Sequence, residues 1–160
     1  MHRQLLRQTA AGLTDEQARS RSTVSELSVG GIIKHVAATE KGWADFMVDG
    51  GGSIAASDVD WSNPDPVIIA ARQTEFCLLD TESLAQVLAD YEQIAAETDR
   101  LVLELPDLDR SFPLPAAPWF PPGAARSMRR TIVHIIAETA QHAGHADIIR
   151  ETIDGAKTMG

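Results

Sequence analysis

Apolar residues recur along most of this 160-residue chain at intervals of three and four, the period of an α-helix, while β-branched alternation is weak. The pattern predicts a short helix over 2–12 that ends at Gly12. The run "TDEQ", Thr14 to Gln17, fits a capping box and predicts a further helical turn. Ser28 then stands as a cap for a long helix over roughly 29–48, which carries Ile32, Ile33, His35, Val36, Trp43, Phe46 and Met47. "DGGGS" at 49–53 closes it, because glycine suits a helix C-terminus and a mobile loop.

The stretch 54–79 has no dominant period. "SNPDP" marks a turn, and "PVIIAARQTEFCLL" predicts a short helix followed by an extended segment. A third long helix is expected over roughly 81–104, starting near Asp80 or Thr81, with Leu84, Val87, Leu88, Tyr91, Ile94, Ala95, Thr98 and Leu101 as its apolar stripe. Six of the eight prolines fall in "LPDLDRSFPLPAAPWFPPG", which makes that segment a connection, since proline fixes φ and lacks an N–H. The last long helix runs over roughly 127–153, capped by Ser127 and stopped near Gly155. No internal repeat is visible. These elements predict an all-α four-helix bundle, one domain over 1–160, with a long proline-rich connection before the last helix.

Charge narrows the function. The net charge of −9 and the lack of a basic stripe argue against nucleic-acid binding, because "RSMRR" at 126–130 is short and begins a helix. No apolar run reaches the ~20 residues of a membrane span, and the mixed polar N-terminus does not resemble a signal peptide. A cytoplasmic location is the default. Cys77 is the only cysteine, which precludes an intramolecular disulfide and a cysteine metal cluster. It is expected to act as a small buried hydrophobe.

Three of the five histidines lie in "HIIAETAQHAGH". With His134 at zero on a helical wheel, Glu138 falls at about 40°, His142 at about 80° and His145 at about 20°. Ile149 continues the stripe at about 60°, and Ile135 and Ile153 flank it at about 100°. The polar residues therefore share a stripe with apolar ones. Ile136, Ala140 and Ala143 make the opposite side apolar as well, so this helix is expected to be buried over much of its circumference. Buried carboxylates and imidazoles need partners. The spacing leaves two readings open: a divalent-metal site built on Glu138 and His142, or a hydrogen-bonded network or wet groove. A metal site would need a third ligand, and His35 is the one other histidine inside a long apolar helix; His2 lies at a terminus that is expected to fray. Trp119 and Phe120, between prolines, are expected to cap the core or cover a pocket. HExxH is absent, Gln141 stands where a Glu-x-x-His unit would need histidine, and no GxSxG turn occurs.

Taken together, "GGIIKHVAATEKGW" (30–43), "WFPP" (119–122) and "HIIAETAQHAGHADIIRETIDG" (134–155) resemble the DinB-like superfamily, which includes mycothiol-dependent maleylpyruvate isomerases and bacillithiol transferases. The resemblance implies a four-helix bundle, often dimeric, and so a homodimer. By resemblance His35, Glu138 and His142 are the metal ligands, and His134 is a pocket or outer-shell group. The ion is expected to be Zn²⁺ by ligand chemistry, with Ni²⁺ also compatible. The first helix is expected to be shorter than in relatives, and no counterpart of the isomerases' additional C-terminal domain is expected after the last helix. What is implied is their thiol chemistry rather than their substrate. The expected function is a metal-dependent transferase or isomerase acting on a small electrophile with a low-molecular-weight thiol such as mycothiol, with His134 or His145 moving the proton. A metal-stabilised bundle acting through a partner and a metal-dependent hydrolase are the alternatives.

Overall fold

The computed structural model describes residues 1–50, 59–61 and 63–158, without the Arg72 side chain. Six helices occur among them: α1 (His2–Gln8), α2 (Asp15–Arg19), α3 (Val29–Asp49), α4 (Pro66–Glu75), α5 (Leu84–Glu104) and α6 (Met128–Asp154). Two short strands, β1 (Ser111–Pro113) and β2 (Ala125–Ser127), pair antiparallel. Helix α3 packs on α5 and α6, and α1 packs on α6, giving the four-helix bundle. No helix among the described residues is long and apolar enough to cross a membrane.

Local chemistry sets the boundaries. Oγ of Ser28 accepts from the Gly31 N–H and Oγ of Ser127 from the Arg130 N–H, each meeting an orphan donor of a first turn. Thr14 and Gln17 form the expected capping box. Gly50 (φ +74°) and Gly155 (φ +77°) end α3 and α6 in the left-handed conformation that favours glycine. The remainder of "DGGGS", 51–53, and residues 54–58 of the unpatterned stretch lie outside the described residues.

Three expectations change. Helix α1 stops at Gln8, because residues 9–12 fold into turns whose carbonyls are taken by another helix: the Arg150 guanidinium, on α6, donates to Thr9 O (2.9 Å) and Ala11 O (2.8 Å). Helix α5 starts at Leu84 with Ser83 as cap, not near Asp80 or Thr81, because Glu82 is drawn into a turn, accepting from Leu79 N–H and from Lys34 Nζ. The proline-rich connection is no helix, as expected, yet its ends form the β1–β2 ladder with Ser111 opposite Ser127 and Pro113 opposite Ala125. With three residues per strand and prolines around them, no alternation announces it.

The core has two parts. One gathers Leu6, Val29, Ile32, Ile33, Val36, Leu84, Val87, Tyr91, Ala143, Ala146 and Ile149. The other joins Met47, Met128 and Ile135 with Trp43, Leu101 and Phe112. On α6 the contacts of one part end at Ile135 and those of the other begin at Ala143; on α3 the break lies between Ala37 and Trp43. The buried polar groups Glu40, Thr98 and Thr139 fall in this seam, as do His35, Glu138 and His142 beside it. The outer face of α6 is less covered than its sequence suggests: Ile136 is 47% exposed, and Val133 and Ile148 more so.

Candidate metal centre

His35 comes from the second turn of α3, and its position depends on the glycines before it. A Cβ on Gly31 would lie 1.8 Å from Phe76 O, so only glycine lets the chain after α4 approach α3 this closely. That approach places the Phe76 ring flat over the His35 imidazole, with centroids 3.9 Å apart and planes at 22°. Thr39, one turn along α3, brings Oγ1 to 3.4 Å from His35 Nε2. The sequence reading gave no role to Gly31 or Phe76. The doublet "GG" at a helix start, where glycine costs helix stability, was the signal that could have suggested a close approach.

Across the seam, α6 presents the polar stripe. Glu138 lies between two imidazoles: His134 Nε2 is 3.6 Å from one carboxylate oxygen and His142 Nε2 is 3.5 Å from the other. The His35 and His142 rings meet edge to face at 5.0 Å. His35, Glu138 and His142 each offer one ligand atom, and these three atoms lie within 4.8 Å of one another. This trio is the set that the resemblance implied.

The donor set fits a divalent ion on three counts. Two imidazole nitrogens and one carboxylate oxygen form the ligand type of catalytic zinc, which keeps a further position open. The spread of the three atoms is only slightly wider than two opposed bonds of about 2.0–2.2 Å, a gap that small side-chain rotations close. Nδ1 of His142 is also buried without a hydrogen-bond partner among the described residues, which is costly for a group with no ligand to meet. Burial is the first cause that lowers the His142 pKa below its ordinary value; Glu138 opposes the shift and His145 adds to it. The ring is therefore neutral at neutral pH, as a ligand must be.

His134 and His145 separate here. His134 packs its ring edge-on to Trp43 at 5.0 Å and lines a cavity of about 980 Å³ together with His35 and Glu138. Its pKa is also lowered, by burial first, then by the Arg126 charge, against the pull of Glu138. His145 stands behind His142, with ring centroids 5.4 Å apart and its own Nδ1 buried without a hydrogen-bond partner among the described residues, and it is not among the cavity-lining residues. Trp119 and Phe120 do line the cavity, as do Trp43, Trp61 and Leu114. The lid reading of "WFPP" thus has geometric support, while Trp119 is 48% exposed and is no core plug. Arg126 and Arg130, taken in sequence only as the start of a helix, also face this cavity. Cys77 is half-buried rather than buried, and its sulfur lies 3.6 Å from an Arg21 guanidinium nitrogen, away from the trio.

Comparisons with known proteins bear on the fold and the family. A crystal structure described as the conserved protein of locus from Enterococcus faecalis superposes with a TM-score of 0.60, covering 97% of this chain and 92% of that one at 18% identity, which speaks to the fold. No curated protein matches the chain. A family profile described as mycothiol-S-transferase matches residues 1–155, nearly the whole length. The bundle, its ordered segments and this match together place the chain in the DinB-like mycothiol-S-transferase family.

Proposed function

We propose that this protein joins a low-molecular-weight thiol, mycothiol by family membership, to a small electrophile, and that a divalent ion held by His35, Glu138 and His142 is required. The observation that carries this reading is the convergence of three nitrogen and oxygen donors within 4.8 Å at the edge of a large, aromatic-walled cavity. A divalent cation bound there favours thiolate over thiol, and the thiolate is the nucleophilic form. Zn²⁺ suits the donors best, and Ni²⁺ is compatible with them.

The chain's own residues do the rest. His134 faces the cavity in its neutral form and is placed to take the proton that the thiol gives up. As the carbon–sulfur bond forms, the electron pair displaced at the electrophile leaves with its leaving group or is protonated. Trp43, Trp119 and Phe120 screen the reacting groups from water. His145, outside the cavity, acts through His142 by fixing the orientation of its ring. The exposed apolar residues Val133, Ile136 and Ile148 on α6 suit a homodimer contact.

The test is metal analysis of the purified protein, followed by conjugation of mycothiol to an electrophile by wild type and His142→Ala. Stoichiometric metal and thiol-dependent turnover in wild type, both lost in the variant, are expected. Full activity from metal-stripped protein overturns the scheme. Ester or amide cleavage without thiol would point to a hydrolase instead.

A further inference from the structure

Two arginines face the cavity, and neither makes an ion pair among the described residues. Arg126 is the middle residue of β2, opposite Phe112 and just before the Ser127 cap, and Arg130 lies in the first turn of α6. The Arg126 guanidinium carbon sits over the Trp43 ring, 4.2 Å from its centroid, and 5.6 Å from the Phe120 centroid, so its charge rests against aromatic rings. Its Nη1 is buried with no hydrogen-bond partner, and neither side chain makes an ion pair among the described residues. Shortage of acids is not the reason. The chain has 23 acidic residues against 14 basic ones, and Arg3, Arg7, Arg100, Arg129 and Arg150 all pair with carboxylates.

Burial and the neighbouring Arg130 charge both disfavour the charged form of Arg126, and only Glu138 pulls the other way. An unpaired, desolvated guanidinium is costly unless a ligand supplies the missing acceptor. A planar guanidinium presents its N–H donors as a fork that matches a carboxylate, and at Arg126 that group lies beside the aromatic rings of Trp43 and Phe120. Glu138 is a weaker partner for Arg126 once its charge is shared with a metal, a point that rests on the function proposed above. The cavity then carries an excess of positive charge.

The geometry points to Arg126, assisted by Arg130, as the binding site for an anionic group, a carboxylate on a flat conjugated body, carried by the electrophilic acceptor rather than by the thiol. The acceptor's π-system would lie against Trp43 and Phe120 with its carboxylate on Arg126, leaving its far end toward His35 and Glu138. For an aryl halide acceptor, the thiolate sulfur bonds to the ring carbon, chloride departs with the bonding pair, and the thiol proton passes to a base.

The test uses the full-length protein and two matched probes, 3-nitrobenzoate and its neutral isostere 3-nitrobenzamide, with binding followed by quenching of tryptophan fluorescence in the absence of thiol. Wild type is expected to hold the anion at least about tenfold more tightly than the amide, one good charge-assisted contact's worth. Arg126→Gln should remove that preference while leaving amide affinity within about twofold; Arg130→Gln, an exposed residue whose change does not threaten the fold, should reduce it by about threefold. Equal affinities for both probes in wild type, or equal loss of both in Arg126→Gln with an unchanged melting curve, would overturn the assignment. So would loss of the preference on chelation, which would put the carboxylate on the metal, or competitive displacement of 3-nitrobenzoate by mycothiol, which would put the thiol on the arginines. Because binding is read without turnover, a failed transferase assay leaves this result standing. Thiol transfer to neutral acceptors with no anion preference would sink this inference alone. With 4-chloro-3-nitrobenzoate and its amide as acceptors, the same preference should appear in kcat/KM.

Discussion

Two glutamates in the seam between the halves of the core meet opposite fates. Glu40, on α3, is 1% exposed and fully answered: Arg3 reaches it through Nε (3.0 Å) and Nη2, while Arg3 Nη1 goes on to Asp99 (2.7 Å). Glu138, on α6, is 28% exposed and faces two neutral-leaning imidazoles at 3.5–3.6 Å, with no arginine or lysine bonded to it among the described residues. The first is a closed account of charge, with bidentate geometry that locks α1 onto α3. The second leaves a carboxylate and two nitrogens turned toward one point and toward a cavity. A fold that can neutralise one buried carboxylate could have neutralised the other. The difference supports the proposal that the α6 stripe holds a ligand.

The contrast can be broken from either side. The largest effect is expected at the open site: His35→Ala, Glu138→Ala or His142→Ala should each abolish stoichiometric metal binding and lower thiol transfer on the order of 10³-fold, since the ion contributes several kcal/mol of charge stabilisation. Their metal-free melting temperatures should stay close to that of metal-free wild type. Activity assays and metal analysis check the first part, and calorimetry the second. At the closed site the pattern inverts. Arg3→Ala strands Glu40 without a partner and should cost about 3 kcal/mol of stability, the low end for a broken buried pair because Arg3 is partly exposed, while metal content is unchanged. Urea unfolding followed by metal analysis reads both.

Gly31→Ala sharpens the comparison by moving His35 indirectly. The new methyl would meet Phe76 O, so the loop after α4 must shift and carry Phe76 off the imidazole. A cost of about 1–3 kcal/mol for overpacking is expected, together with a metal affinity lowered by about tenfold through the disturbed outer shell. Metal titration of the refolded variant checks it. The smallest effect is in pH. Burial lowers the pKa values of both His134 and His142 below the ordinary imidazole value of about 6.5. As pH falls below that value the unfolded chain takes up protons that the folded chain does not, so the metal-free protein loses stability toward acid. Urea midpoints at pH values of about 7.5 and 5.5 should show the decline, and His142→Gln should flatten it.

Much of this was legible in the chain. The helical period, with Ser28, Ser127, Gly50 and Gly155 as punctuation, located α3 and α6 to within a residue or so, because caps and apolar spacing are local signals. The Glu138–His142 spacing placed two donors on one face for the same reason. Spacing alone did not choose between a metal and a polar network; His35 stood out as the one other histidine inside a long apolar helix, and the family resemblance is what assigned it a ligand role. What remained illegible was non-local. Nothing near Glu82 tells that Lys34 will pull it out of the helix before Ser83, and nothing near Thr9 tells that Arg150 will cap that turn. Arg126 read as the start of a helix because its meaning lies in Trp43, distant in sequence, and in Phe120 across a proline turn. The cavity's aromatic wall is assembled from α3 and the proline-rich connection, and only the fold brings them together.

The most direct test of the central claim is a crystal structure of the metal-loaded protein with anomalous scattering collected on both sides of the metal's absorption edge. The account predicts one ion per chain bonded to His35, Glu138 and His142, with an open position facing the cavity that Arg126 and Trp43 line. An anomalous peak bonded to other residues, or none at the trio in protein that shows full activity, would contradict it.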